Sequence, residues 1–364
     1  MVKLQEPAEI TLNPECFRNM VNLEIFINRN ASLCGHINYL PNALTLIDWD
    51  RCQLQSLPPN FQGNRLVVFS MPRSHMKQLD GFKFKHLPNL TSMDLRGCQF
   101  LEKIPDLSGI PNIEYLNLRD CTRLVEVDDS VGFLDKLVVL DLVGCFNLTR
   151  FATTLRLKSL KELDLGYCKR LESFPEIEVE MESLRRLDYC ENLTITVNSQ
   201  VSSSNSELQL LPNLFAFSLK GCNLSKSDFL LPLDCWSTLT ELDLSGNNFV
   251  SLPRCISKFV NLRKLDLSDC KSLLEIPEQV LPRRVEFVLL DNCTSLEKIP
   301  KLSWVLLDNC TSLQKIPEIS PGVELELTLT NCVRLHGYDI TENIFLNQVS
   351  VSSPRSYFHI YLPG

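Results

Sequence analysis

A nine-residue pattern, L-x-x-L-x-L-x-x-C, recurs along the chain and constrains its fold more than any other feature. Its clearest copies begin at Leu90, Ile113, Leu137 and Leu160, and it returns at Leu262. Self-similarity at a period of about 23 residues indicates a stack of repeats that bury their apolar sides against one another. The sequence therefore predicts an elongated solenoid rather than a single closed core.

The apolar spacing within each copy predicts what each repeat forms. The fourth and sixth positions are apolar between polar neighbours, which is typical of a strand with one buried face. Between these strands, proline follows an apolar residue, as in Ile104–Pro105, and disfavours regular helix. We predict an α/β leucine-rich repeat solenoid, a curved horseshoe with a parallel β-sheet on its concave face and short irregular or 3-10 convex segments.

The repeat boundaries divide the chain into three parts. We place about 13–14 repeats in residues 21–335, a lead-in from an upstream domain in 1–20, and the start of a truncated β domain in 336–364. Ile25 and Ile27 fit the first strand and Asn30 its ninth position, although this register is open by one residue. A long polar step follows Asn192. A short step, between two near-identical copies of V-L-L-D-N-C-T-S-L, follows Cys293 and predicts a kink.

Most of the fifteen cysteines occupy the ninth position of a repeat, where Asn or Ser replaces them elsewhere. Such exchange predicts small buried groups that hydrogen-bond to the backbone of an adjacent repeat. Disulfides and a metal site are the alternatives, but there is no C-x-x-C and the five histidines have no ligand spacing. We expect no metal or cofactor. Many unpaired thiols favour a reducing compartment, so the predicted location is cytoplasmic or nuclear.

Several function classes are disfavoured by charge, hydropathy and motif content. The net charge of -8 argues against nucleic acid as a partner, and no apolar run is long enough to cross a membrane. The sequence contains no phosphate-binding loop, G-x-S-x-G or H-E-x-x-H, so we expect no enzyme. Seven N-x-[ST] sites suggest secretion, but several arise from the repeat itself, and we interpret them as its by-products.

The concave face carries the candidate partner-binding residues. The fifth position is Asp in many repeats, with Asn or Ser in others, and Arg follows at the seventh position of two repeats. This row is interpreted either as a site for a basic partner or as a solubilising consensus. Near the C-terminal end the same face turns apolar. A covering domain, an external partner or a wrong register would each explain that change. The candidates are Asp94, Arg96, Asn117, Arg119, Asp141, Asp164, Asp243, Asp266, Phe287, Leu289, Trp304 and Leu306.

The segment 87–124, PNLTSMDLRGCQFLEKIPDLSGIPNIEYLNLRDCTRL after Leu87, resembles the repeats of plant intracellular immune receptors. The class it resembles has a Toll/interleukin-1-receptor-like domain and a nucleotide-binding domain before the repeats. The resemblance implies a protein ligand, either a pathogen effector or a host protein altered by one. It also implies an intramolecular contact that holds the nucleotide-binding domain inactive. The alternative is a cysteine-type repeat adaptor of an F-box ubiquitin ligase, which requires long convex helices.

Overall fold

The computed structural model describes residues 2–79, 86–172, 174–188, 211–222, 224, 237–300, 304–315, 325–328, 331–334 and 357–360. The chain divides into two compact units, Met1–Asn213 and Leu214–Gly364. The polar segment 198–207 that lengthens one predicted step lies outside the described residues.

The first unit is built on short parallel strands. Its strands are β1 (Val2–Thr11), β2 (Ile25–Cys34), β3 (Leu46–Trp49), β4 (Val68–Ser70), β5 (Ser92–Asp94), β6 (Lys103–Ile104), β7 (Tyr115–Asn117), β8 (Glu126–Val127), β9 (Val139–Asp141), β10 (Arg150–Phe151), β11 (Thr154–Leu155), β12 (Glu162–Asp164), β13 (Glu176–Ile177) and β14 (Arg186–Asp188). The main sheet takes them in the order β1-β2-β3-β4-β5-β7-β9-β12-β14. Adjacent strands pair in parallel and in register, so that Met93 lies beside Leu116 and Leu116 beside Leu140.

The second unit repeats this arrangement. Its strands are β15 (Ala216–Ser218), β16 (Glu241–Asp243), β17 (Lys264–Asp266), β18 (Phe287–Leu289), β19 (Trp304–Leu306), β20 (Leu325–Thr328) and β21 (Tyr357–Ile360). Strands β15 to β20 pair in parallel in chain order, and β21 pairs antiparallel with β20. The two near-identical copies form successive strands, with Phe287 beside Trp304 and Leu289 beside Leu306.

The core of each unit is a column of the apolar repeat positions. Leu116 and Leu118 at the fourth and sixth positions are fully buried, as are Leu265 and Leu267 in the second unit. Each fully buried Leu contributes about 1.5–3 kcal/mol relative to an exposed one. One repeat cannot bury these side chains alone, so their burial depends on the repeats on either side.

The first strand corrects the predicted register by one residue. Phe26 and Asn28 face the core, whereas Ile25 is 55% exposed, so the ninth position is Ala31 and not Asn30. Aromatic packing explains the register, because Phe26 contacts Trp49 edge to face at 5.1 Å between ring centroids. The buried Asn28 side chain donates to the Ala31 carbonyl at 2.8 Å.

The convex segments are short, as the prolines predict. The described ones include 3-10 turns at Asp129–Phe133, Arg254–Lys258 and Glu278–Val280. Others form small accessory sheets, β10-β8-β6 and β11-β13, which the repeat pattern does not predict. The predicted fold class, a leucine-rich repeat solenoid with a parallel sheet, is confirmed. The predicted kink and domain boundaries stay predictions.

Candidate recognition surface

The side chains at the third, fifth and seventh positions lie on the outward face of each sheet. In the first unit, Asp94, Asn117, Asp141 and Asp164 are neighbours on β5, β7, β9 and β12. Their side chains are half-buried, whereas Arg96 and Arg119 at the seventh position are exposed. The structure therefore brings six of the candidate residues into one continuous patch, which we call the first-unit face.

The aspartates at the fifth position end their strands. The Oδ1 atom of Asp94 accepts a hydrogen bond from the backbone N–H of Arg96 at 3.1 Å, two residues ahead. Asp141, Asp164, Asp243, Asp266 and Asn117 make the same contact, at 2.9–3.1 Å. An Asx turn of this kind competes with the β-ladder and stops it. The exchange of Asp with Asn in the sequence was the signal for this structural role.

Arginines neutralise most carboxylates of the first-unit face. Arg119 contacts Asp141 at 2.9 Å and reaches Asp164 on the next strand at 3.8 Å. Arg96 also pairs with Asp94 at 3.5 Å. Elsewhere in the same unit, Arg29 pairs with Asp48 at 2.9 Å and Arg186 with Asp188 at 3.1 Å. The arginine side chains are 44–62% exposed, so each pair contributes only about 0–1 kcal/mol. Their main effect is to reduce the negative charge that the aspartates present.

One carboxylate in this row is poorly neutralised. Burial and, to a smaller extent, the neighbouring carboxylates of Asp188 and Asp141 together raise the pKa of Asp164 to about 6. The hydrogen bond from Gly166 and the more distant Arg119 oppose this shift. Asp164 therefore loses its proton at a higher pH than an ordinary exposed aspartate does.

The second unit presents a different face, which we call the second-unit face. Asp243 and Asp266 occupy the fifth position of β16 and β17, and within the described residues no ion pair joins either of them to an arginine. The fifth position then becomes Leu289 on β18 and Leu306 on β19, both half-buried. Phe287 is half-buried beside them. Trp304 lies in register with it, but the side chain of Trp304 lies outside the described residues.

The ninth-position cysteines form a ladder of hydrogen bonds, as predicted. The Sγ of Cys121 donates to the Leu95 carbonyl of the preceding repeat at 3.2 Å. Cys98, Cys145, Cys168, Cys270, Cys293 and Cys310 make the equivalent bond at 3.1–3.3 Å. Asn247 fills the same position with its Nδ2, at 2.9 Å from the Leu219 carbonyl. The cysteines whose side chains the structure describes are free thiols, and burial raises the pKa of Cys52 to about 12.

The eighth position is left-handed in every described repeat that ends in one of these polar residues. Glycine and asparagine serve there, as at Gly144 (φ 74°) and Asn309 (φ 62°). The side chains of Asn292, Asn309 and Asn331 form a chain of hydrogen bonds from one repeat to the next, at 2.9 and 3.1 Å. The frequent Gly, Asn or Asp directly before the ninth position is the sequence signal that could have predicted this conformation.

Several asparagines of the N-x-[ST] sites are engaged by the same architecture. The Nδ2 of Asn147 donates to the Thr122 carbonyl at 2.7 Å, and that of Asn89 to the Asn64 carbonyl at 3.1 Å. A glycan would attach at this nitrogen, so attachment would compete with the bond between repeats.

Within the described residues, no helix is both long and apolar enough for a membrane span, and no group of three His, Cys, Asp or Glu side chains could hold a metal ion.

Comparison with known proteins adds the family. The family described as "Disease resistance protein RPS4B-like, leucine-rich repeats" matches residues 186–316, and "Leucine Rich Repeat" matches residues 89–109. Disease resistance protein RPS6 of Arabidopsis thaliana is 31% identical in an alignment of 312 positions that covers 82% of this chain and 26% of that protein. TMV resistance protein N of Nicotiana glutinosa is 26% identical, over 74% of this chain and 32% of its own length. The chain thus spans only about a quarter to a third of these relatives.

Solved structures of low similarity were also found. The functional domain of InlJ from Listeria monocytogenes, described as including a cysteine ladder, is 20% identical with a TM-score of 0.36, over 81% of this chain and 62% of that one. The LRIM1/APL1C complex is 18% identical with a TM-score of 0.37, over 89% and 51%.

The parallel strands, the buried repeat positions and the family matches define a leucine-rich repeat protein. More particularly, the chain belongs with the leucine-rich repeat regions of plant disease-resistance receptors of the Toll/interleukin-1-receptor and nucleotide-binding class. The resemblance stated from the sequence is confirmed for this region.

Proposed function

We propose that the chain is the protein-recognition and autoregulatory module of a plant innate immune receptor, and that it binds a pathogen effector or a modified host protein. The second-unit face is the observation that carries this proposal. There, Asp243 and Asp266 lack an arginine partner within the described residues, beside half-buried Phe287, Leu289 and Leu306. A surface that combines apolar groups with unneutralised charge favours a protein partner that brings apolar and basic side chains.

The first-unit face has a different proposed role. Two of its carboxylates, Asp94 and Asp141, already have arginine partners in the same or an adjacent repeat, as in the contact of Arg119 with Asp141. An arginine or aspartate that leaves such a pair to contact a charge on another domain loses little free energy, because the pairs are exposed and individually weak. This exchange supports the proposal that the face makes the intramolecular contact with a nucleotide-binding domain. A ligand would then shift the resting and active states by binding one of them more tightly.

The proposed compartment is the cytoplasm or nucleus, and the proposed module has no catalytic role. Free, hydrogen-bonded thiols at successive repeats suit a reducing environment. The F-box adaptor alternative required long convex helices. The described convex segments form 3-10 turns and two-residue strands instead.

A two-hybrid panel of secreted pathogen proteins and their host targets tests the proposal, with this chain as bait. The decisive variant is Leu289→Asp combined with Leu306→Asp. Aspartate is the common fifth-position residue of other repeats, so this variant should fold and its new side chains should end their strands normally. The matched control is Leu274→Asp, which changes a 43% exposed leucine on a convex segment.

We expect at least one partner that binds the wild type and the control but loses about tenfold or more in affinity for the double variant. A panel in which every partner binds the double variant as well as the control would contradict recognition through this face.

A further inference from the structure

A cleft in the first unit is lined by residues that belong to neither of the two faces. It has a volume of about 350 Å³ and is lined by the eighth to eleventh positions of three successive repeats. Arg51, Arg73, His75, Gly97, Gln99 and Phe100 contribute to its walls, and none of its lining residues is acidic. In a protein of net charge -8, a cleft lined by two arginines is a local reversal of charge.

The two arginines retain hydrogen-bond donors for a ligand. Arg73 uses its Nε and one terminal nitrogen on Asp50, at 2.9 and 2.7 Å. A guanidinium has five N–H groups, so this pairing leaves donors unused and fixes the orientation of the group. Within the described residues, the Arg51 guanidinium has no hydrogen bond or ion pair.

Both arginines occupy the left-handed eighth position, with φ of 55° at Arg51 and 54° at Arg73. Other repeats place Gly, Asn or Asp there, which adopt this conformation more easily. Tyr167 is the remaining described exception, on a repeat outside the cleft. Two adjacent repeats thus place arginine where the backbone is strained, and both arginines line the same cleft. This arrangement points to a role in binding rather than in folding.

The next repeat leaves room for these side chains. Its eighth position is Gly97, where an added Cβ would lie 2.9 Å from the Cγ of Arg73. Phe100 forms one wall, held by an edge contact with His75 at 5.2 Å and by Arg123 at 5.5 Å from the ring centroid. The cleft is therefore bounded by fixed groups and opened by the absence of a side chain.

We propose that this cleft binds a small phosphate-bearing molecule, with the phosphate held by Arg51 and Arg73 and by the neighbouring polar side chains. Forked guanidinium donors match the oxygens of phosphate, and the volume is in the range of small-molecule sites. This inference is independent of the proposed recognition function and of both faces.

Isothermal titration of the whole chain with pyrophosphate tests the inference, at constant ionic strength set with chloride. The variants are Arg51→Asn and Gly97→Asn. Asparagine suits the left-handed conformation, so Arg51→Asn should fold at least as well as the wild type. Gly97→Asn keeps every arginine and fills the cleft, which separates a specific site from general attraction to positive charge.

Two control variants complete the design. Tyr167→Asn relieves the same left-handed backbone strain in a repeat that does not line the cleft. Arg283→Asn removes one exposed positive charge in the other unit. We expect saturable binding of pyrophosphate that weakens by about tenfold or more in Arg51→Asn and Gly97→Asn and is unchanged in the controls. Thermal unfolding of each variant in phosphate-free buffer confirms that the losses do not reflect unfolding.

Three outcomes would overturn the proposal. These are the absence of saturable binding to the wild type, equal loss in Arg283→Asn, and full binding by Gly97→Asn. Titration with a phosphotyrosine peptide distinguishes a phosphorylated protein as the source of the phosphate. Tighter binding of that peptide than of pyrophosphate would contradict a small-molecule ligand.

Discussion

The first-unit and second-unit faces both carry aspartates at the fifth repeat position, but the residues around these aspartates differ. Asp141 in the first unit contacts Arg119 at 2.9 Å, whereas Asp266 in the second has no such partner within the described residues. Beneath the surface the two units agree, since both bury leucines at the fourth and sixth positions and bind a ninth-position thiol to the preceding repeat. The repeat therefore determines the interior and the strand ends, and it leaves the outward charge free to differ.

The largest expected effect tests the shared interior. Leu140→Ala in the first unit and Leu265→Ala in the second each remove a fully buried side chain. Each change should lower the free energy of unfolding of its own unit by about 2–5 kcal/mol, through lost burial and a cavity. Urea titration followed by hydrogen exchange, resolved by unit, measures both. A loss in one unit several times larger than in the other would show that the interiors are not equivalent.

The second-largest expected effect is a pH dependence of the free energy of unfolding that differs between the two faces. Because the pKa of Asp164 is raised in the folded state to about 6 from 3.8, its contribution to stability is complete below about pH 3.8 and is lost as pH rises through 6. Asp164→Asn stays neutral and its side-chain oxygen can still accept from Gly166. At pH 7 this variant should be more stable than the wild type by about 1–3 kcal/mol, with no gain at pH 3.5.

Thermal or urea unfolding across pH 3.5–8 measures this difference. Asp266→Asn in the second unit serves as the matched change of an aspartate that ends a strand. A wild-type advantage at pH 7 would mean that the contact with Arg119 outweighs the burial of Asp164.

The smallest effect isolates the ion pairs. Asp141→Asn keeps the oxygen that accepts from Val143 but loses the charge that pairs with Arg119, so it should cost about 0.5–1 kcal/mol. Asp266→Asn keeps its bond from Ser268 and loses no arginine partner, so it should change stability by less than about 0.5 kcal/mol. Unfolding in low and high salt checks the origin of the difference, since 1 M salt should remove it. Equal costs in both units would contradict the contrast between the faces.

The sequence predicted the features that follow from repetition. The strand at each repeat, the buried leucines and the bond from a ninth-position cysteine to the adjacent backbone all follow from a period-two pattern inside a longer period. The first strand was placed wrongly by one residue, because two isoleucines at Ile25 and Ile27 match the pattern as well as the true core residues Phe26 and Asn28. The contacts of Phe26 with Phe17 and Trp49 decide that register, and they join residues far apart in sequence.

The candidate surface was predicted less completely than the fold. The row of aspartates was predicted. That these aspartates end their strands was not, because this role depends on a hydrogen bond from the backbone N–H two residues ahead. The pairing of Arg119 with carboxylates on two further strands depends on rotamers that one sequence does not specify. The cleft at Arg51 and Arg73 could not be predicted, because it depends on the backbone conformation at the eighth position.

The buried thiols also allow local opening of the repeats to be detected by chemical labelling. Only a thiolate attacks a disulfide reagent at an appreciable rate, and burial raises the pKa of Cys52 and Cys270 to about 12. Each such cysteine therefore stays unreactive while its repeat is closed and becomes reactive when the repeat separates from its neighbour. With one such residue in most repeats of both units, the order in which peptides become labelled would record where the array begins to fray and how far each opening spreads.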